Sequence, residues 1–150
     1  MKNVNFMVNF DMVGRLGCEG NMIYVIGTAS SPDWKKIYKA VDHDSFRVNK
    51  MKGVGFFSDN LGFYKKSIPV AYFTTGFHYQ YHTPEDNAAT INYDGLAGIS
   101  RYAEDFLAIA SGRDRIRYNK VSGWNEFGAN WHYITEGLDY LLVVGASGAE

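Results

Sequence analysis

Ile68-Pro69-Val70-Ala71-Tyr72-Phe73, followed after two threonines by Gly76-Phe77-His78-Tyr79-Gln80-Tyr81-His82-Thr83-Pro84-Glu85-Asp86-Asn87, is the stretch on which the reading of this chain turns. The first part is short, apolar and rich in β-branched and aromatic residues, which favours a strand enclosed within a sheet. The second part gathers two histidines, two acids and two tyrosines immediately after that strand's C-terminal end. In open α/β sheets the loops leaving that edge diverge and form the crevice in which ligands bind. His82 is therefore placed either to act on a ligand or to serve as a hydrogen-bonded loop histidine. On the second alternative, Pro84, Glu85 and Asp86 simply start the next helix.

Spacing alone offers a different site. His78 and His82 stand at i and i+4, the separation that aligns two zinc-binding histidines on one helical face. That geometry requires a helix, and Gly76, Thr83-Pro84 and the intervening tyrosines predict an irregular loop instead.

On the N-terminal side, Val4 to Phe10 alternates as a strand, with Val4, Phe6, Val8 and Phe10 on one face. Asp11 falls at its C-terminal end, where an acid can bind metal, cap a helix or stand in solvent. Met22 to Ile26 reads as a second strand. Pro32-Asp33-Trp34 opens a helix running to about Val41, with Trp34, Ile37 and Val41 on its core face. Phe46 to Met51 reads as a strand with Lys50 and Lys52 exposed. Asp42-His43-Asp44 resembles a metal triplet, but adjacent residues at a helix end point apart, and it is read as a solvated turn. From Asn92, an apolar stripe of Leu96, Ile99, Tyr102, Ala103, Phe106, Leu107 and Ala110 predicts a long helix ending near Gly112.

Taken in order, Asn9-Phe10-Asp11-Met12-Val13-Gly14-Arg15-Leu16, Gly27-Thr28 with Ser31-Pro32, Ser58-Asp59, Phe63-Tyr64, Ile68-Pro69-Val70, Tyr81-His82-Thr83-Pro84-Glu85-Asp86 and Ile91-Asn92-Tyr93-Asp94-Gly95-Leu96 resemble a known succession. It is that of the C-terminal half of the catalytic domain in the co-catalytic zinc aminopeptidase family, which includes glutamate carboxypeptidase-like proteins and, more distantly, glutaminyl cyclases. The ordered succession carries the resemblance, since independent short motifs rarely align by chance.

The resemblance implies an α/β fold: a partial zinc-exopeptidase-like domain with a mixed, mostly parallel sheet and flanking helices. It implies residues 1–111 as that domain and 112–150 as an unassigned extension packed on it. It also implies Asp11 and His82 as metal ligands, His78 as structural, and Asp59, Glu85 and Asp86 as residues that back the ligands or face the substrate. An acid bonded to a liganding histidine would fix its tautomer. The complete family domain uses two zinc ions and acts on peptides with a free N-terminus.

Three departures qualify the inference. Asn60 stands where the family usually has the histidine of a Ser-Asp-His sequence. The family's upstream histidine, bridging aspartate and adjacent Glu-Glu pair are not found, so no catalytic residue is assigned on this chain. Two ligands do not hold zinc firmly, and the expectation is weak or absent zinc and little hydrolysis. A non-catalytic interaction domain and a glutaminyl cyclase-like acyltransferase are the alternatives. The incomplete sheet would also leave an edge open to self-association.

Composition narrows the field. The 150 residues suit one domain. An apolar fraction of 46% fits a folded protein. A net charge of -1 lacks the basic footprint needed for nucleic acid. The lone Cys18 excludes an internal disulfide and leaves the compartment undecided, although relatives of the resembling family are often secreted or periplasmic. No stretch spans a bilayer, and the N-terminus lacks the apolar centre of a secretory signal. Arg113 to Lys120 reads as a solvated strand or extension. Trp131 to Val144 has partial helical spacing, and His132 within it is taken as structural.

Overall fold

The strand read from Ile68 to Phe73 is β4 (Val70–Thr74), and it lies inside the sheet. In the computed structural model, which describes residues 3–18, 20–41, 44–54 and 58–121, it pairs on one side with β1 (Met7–Phe10) and on the other with β2 (Met22–Ile26). β3 (Arg47–Met51) completes the order β1-β4-β2-β3. β1 runs parallel to β4 and β2 parallel to β3, while β2 and β4 are antiparallel. The sheet is thus mixed and mostly parallel, as expected.

The two inner strands are apolar on both faces because both faces are covered. Val70, Ala71 and Phe73 are wholly enclosed, as are Ile23 and Val25. On one face α1 (Trp34–Ala40) and α3 (Tyr93–Ser111) pack with Trp34, Ile37, Tyr38, Ile99, Tyr102 and Phe106 against Ile23, Val25, Ala71 and Phe73. The opposite face carries a smaller cluster of Tyr24, Ile26 and Met51, with Tyr72 and Phe77 against it. A short helix, α2 (Asn60–Tyr64), contacts β1 and β4.

Trp34 belongs to the core as expected. Its indole Nε1 donates to the Ser30 hydroxyl at 3.1 Å and to the Val70 carbonyl at 3.0 Å, which satisfies the buried N–H. Ser30 in turn donates to that carbonyl and accepts from the Val70 N–H. Gly27, just before, has a φ of 90°, and a Cβ there would lie 2.9 Å from the Val70 oxygen. Only glycine permits this approach.

Three details differ from the sequence reading. β1 begins at Met7 rather than Val4, because the preceding residues turn away to the C-terminal segment: the Asn5 side chain donates to the Arg113 carbonyl and accepts from the Ile116 N–H. Arg113 to Lys120 is neither a strand nor fully solvated. Ile116 is buried, Arg117 pairs with Asp33, and the Asn119 amide groups donate to the carbonyls of Ser30 and Ala29. The sequence signal of charge was correct, but its partners lay over 80 residues away. Third, β3 begins at Arg47 rather than Phe46, while Gly112 caps α3 as expected, in a right-handed conformation. Asp42 and His43 of the Asp42-His43-Asp44 triplet, and residues 122–150 with His132, lie outside the described residues.

Candidate functional site

β1 and β4 run parallel, so their C-terminal ends emerge at the same edge of the sheet. Pairing continues past both strands: the Asp11 N–H donates to the Phe73 carbonyl at 3.1 Å, and the Thr75 N–H to the Met12 carbonyl at 3.0 Å. Asp11 and the loop that carries His82 therefore leave from adjacent points. This placement follows from the topology itself.

The Asp11 carboxylate is held by a relay of small polar groups. Its Oδ2 accepts from the Ser58 hydroxyl at 2.8 Å, and that hydroxyl accepts from the Asn9 side-chain amide at 2.5 Å. Ser58 reaches this position from the loop before α2. Tyr72, at the middle of β4, has its phenol pushed above its usual range, first by burial and further by the Asp11 and Tyr81 charges, while hydrogen bonds with Thr74 and Ser58 hold it back. Tyr72 thus stands within electrostatic range of both Asp11 and Tyr81.

Tyr81 leads to His82, whose ring stacks on it at a centroid distance of 3.8 Å and an interplanar angle of 19°. His82 is exposed and has a φ of 59°, a left-handed conformation in the middle of a loop built from successive single turns. His78 and His82 do not share a helical face. The N–H groups of Tyr81, Thr83 and Asp86 each donate three residues back, to His78, Gln80 and Thr83, and no helix forms before Ala88.

The acids of this loop take separate parts. Asp86 accepts from Arg15 Nη2 at 2.7 Å through Oδ1, and its Oδ2 lies 3.8 Å from His78 Nε2. The Arg15 hydrogen bond is the main reason that its carboxyl sits below the usual range. Arg15 itself is buried and also donates to the Thr90 carbonyl at 2.7 Å. His78 is enclosed, and its Nδ1 has no hydrogen-bond partner among the described residues. Glu85 is exposed and held below its usual range, chiefly by a hydrogen bond from Thr83. The Asp86 partner is thus Arg15, not His82.

Asp59 is exposed at the start of α2, and its side chain makes no capping hydrogen bond. Asn60, the next residue, is wholly buried and donates to the Val54 carbonyl. The position filled by histidine in the resembling family is here an inward-facing amide that ties down its own loop.

Sequence reading missed Ser58, Tyr72 and Arg15 as contributors. Ser58, Arg15 and Asn9 all stood inside the quoted motifs, but motifs do not state which side chains meet. Asp11 and His82 supply a carboxylate oxygen and an imidazole nitrogen, both proper zinc donors, yet a firmly held zinc takes four. Among the described residues no group of three or more His, Cys, Asp or Glu side chains converges as a metal site. The donor types fit zinc and their number does not, so no metal-borne step is assigned to this chain.

A family model described as Peptidase family M28 matches residues 1–107. No curated protein matches the chain. Among solved structures, the chain is similar to the crystal structure of the LapA aminopeptidase of Legionella pneumophila, at 23% identity and a TM-score of 0.58. The match covers 71% of this chain and 30% of that one. Likeness at this identity speaks to the fold, and the chain spans less than a third of that aminopeptidase.

Proposed function

Because this chain belongs to peptidase family M28, we propose that it carries part of a zinc-dependent, aminopeptidase-type hydrolytic site, with Asp11 and His82 as its metal-binding residues. The observation that carries this reading is the shared exit of Asp11 and the His82 loop from the parallel ends of β1 and β4, with Ser58 bonded to the Asp11 carboxylate and Tyr81 stacked on the His82 ring. In this reading Ser58 and Asn9 orient the Asp11 carboxylate, and Tyr81 supports the His82 ring. Such fixing of donor groups governs metal affinity. A bound metal would activate water and polarise the scissile carbonyl. The substrate class would be peptides with a free N-terminus.

With only two donors, the chain alone is expected to bind zinc weakly and to hydrolyse aminoacyl-p-nitroanilides little or not at all. Elemental analysis of the purified chain, of Asp11→Ala and of His82→Ala tests the site. Zinc above background that falls in both variants supports it. Clear turnover by the wild type that His82→Ala abolishes would overturn the inactivity of the chain alone, and zinc retained in both variants would overturn the ligand assignment.

A second reading, a peptidase-like interaction domain without catalysis, is favoured by Asn60. Its burial and bond to Val54 make it a structural residue at a position where the family pattern places a titratable one. The two readings part on the zinc measurement.

A further inference from the structure

We propose that Arg15 is a positioning residue, which clasps the loop of residues 76–92 to the loop that follows Asp11 and so fixes the orientation of His82. The proposal rests on the site reading above for its functional meaning, and on geometry for its substance.

Arg15 stands four residues after Asp11, and Asp86 four after His82. Their ion pair therefore closes a ring: from Asp11 along one loop to Arg15, across 2.7 Å to Asp86, back along the other loop to His82. The other side of the ring is the pairing of β1 with β4, which continues past both strands in the bonds from the Asp11 N–H to the Phe73 carbonyl and from the Thr75 N–H to the Met12 carbonyl. Arg15 also donates to the Thr90 carbonyl at 2.7 Å, so its fork grips the loop at two points, before and after Asn87. A lysine, offering a point charge in place of a planar fork, would lose one of them.

A second fastening lies beside the first. The Asn92 N–H donates to the Gly14 carbonyl at 2.9 Å, and its side-chain amide to the Leu16 carbonyl at 2.7 Å. This pins the end of the 76–92 loop where α3 begins. Arg15 holds its middle. Among the described residues His82 itself has no such fastening: it is exposed, sits at a positive φ, and has a ring stack on Tyr81. A left-handed non-glycine residue persists only where its surroundings impose it. The clasp, four residues along the same loop, is a charge-assisted contact able to do so.

A buried arginine could serve stability alone, so the test needs a reporter on His82. The Tyr81 ring, 3.8 Å from the imidazole, shifts the His82 ring resonances by its ring current. In Arg15→Met and in Asp86→Ala these resonances should move toward free-histidine positions. Amides of residues 78–88 should exchange about tenfold faster or more, as expected when a charge-assisted bond is lost. The Trp34 indole N–H, in the core, should stay in place. The double variant should add little to either single one, because both remove one contact. Asp86 is well exposed, so its variant keeps the measurement interpretable even where Arg15→Met fails to fold.

Unchanged His82 resonances and loop exchange in Asp86→Ala would overturn the proposal, as would changes that merely track the Trp34 signal. Zinc chloride titrated into the wild type separates this from the site reading. A His82 signal that ignores zinc, with the clasp effect intact, sinks the metal assignment and leaves the clasp. A His82 signal that answers zinc equally in wild type and Asp86→Ala sinks the clasp and leaves the metal assignment.

Discussion

The guanidinium of Arg117 grips the carboxylate of Asp33 across 84 positions of sequence, with Nη2 at 2.5 Å from Oδ1 and the Arg117 N–H at 2.9 Å from Oδ2. Asp33 stands at the N-terminus of α1, where a carboxylate would normally cap the helix, yet its oxygens are turned to the C-terminal segment instead. Arg117 lowers the Asp33 pKa to about 2, first by side-chain and then by backbone hydrogen bonding, against the opposing effect of burial.

The direction of the pH effect follows from that depression. A carboxyl that titrates lower when folded contributes stability that is full above its unfolded value near 3.8 and declines as pH falls toward about 2. Arg117 is 64% exposed, so solvent screens the pair and its contribution is small. Urea unfolding should find Arg117→Ala slightly less stable than the wild type at pH 7. The difference should shrink between pH 4 and pH 2. A gap that stays constant through that range would contradict the ion pair as its source.

Gly95→Ala tests the start of α3. By helix propensity, alanine would gain about 1 kcal/mol over glycine. Here an added Cβ would lie 2.7 Å from the Leu16 Cβ and 2.8 Å from the Asn92 side-chain amide. The second contact threatens the bond from Asn92 to the Leu16 carbonyl, and the Asn92 cap on the Gly95 N–H with it. Overpacking costs about 1–3 kcal/mol and a lost cap about 1 kcal/mol, so the net effect is destabilising. Thermal unfolding of Gly95→Ala should fall below the wild type. A rise would show that this junction gives way more easily than its contacts imply.

Much of this architecture was legible because its signals are local. β4 announced itself through Val70, Ala71, Tyr72 and Phe73, and α3 through the spacing of Ile99, Tyr102, Phe106 and Ala110. Burial and period are properties of a window of residues. What could not be read was pairing across the chain. Arg15 and Asp86 lie 71 residues apart and Asp33 and Arg117 84, and in sequence each appears only as a charge. The same holds for Ser58, whose hydroxyl meets Asp11 because α2, which follows it, packs against β1. The shortened β1 has that origin too, since Asn5 is drawn to Ile116 rather than to a neighbouring strand.

Ser58→Ala separates orientation from stability at the Asp11 end of the site. The hydroxyl lies between Asn9 and Asp11 in a half-buried position, so its loss should cost the fold no more than about 1 kcal/mol. The Tyr72 phenol would lose a hydrogen bond that favours its ionised form, and its titration should move higher still. Carbon-13 labelling of tyrosine ring carbons would follow that titration directly. A Tyr72 titration unchanged in Ser58→Ala would mean that the Ser58 hydroxyl does not act on the Tyr72 phenol.

Asn60 decides whether this site could be restored toward its family pattern by one substitution. The residue is wholly enclosed, and its amide donates to the Val54 carbonyl. Asn60→Ala would leave that carbonyl unpaired and a void beside it, at a cost of about 1–3 kcal/mol. For a chain of this size that lowers Tm by about 2–4 °C per kcal/mol. Asn60→His offers a ring N–H to the same carbonyl, but it must fit a larger side chain into a space closed around an amide, at a similar cost in overpacking. The imidazole would also be enclosed where the Asn60 amide now lies. We therefore expect Asn60→His to be less stable than the wild type and to hold no more zinc, measured by calorimetry and elemental analysis on the same preparations. Greater zinc content at undiminished Tm would mean that the loop around Asn60 reopens to present the ring, and that one residue separates this chain from a fuller metal site.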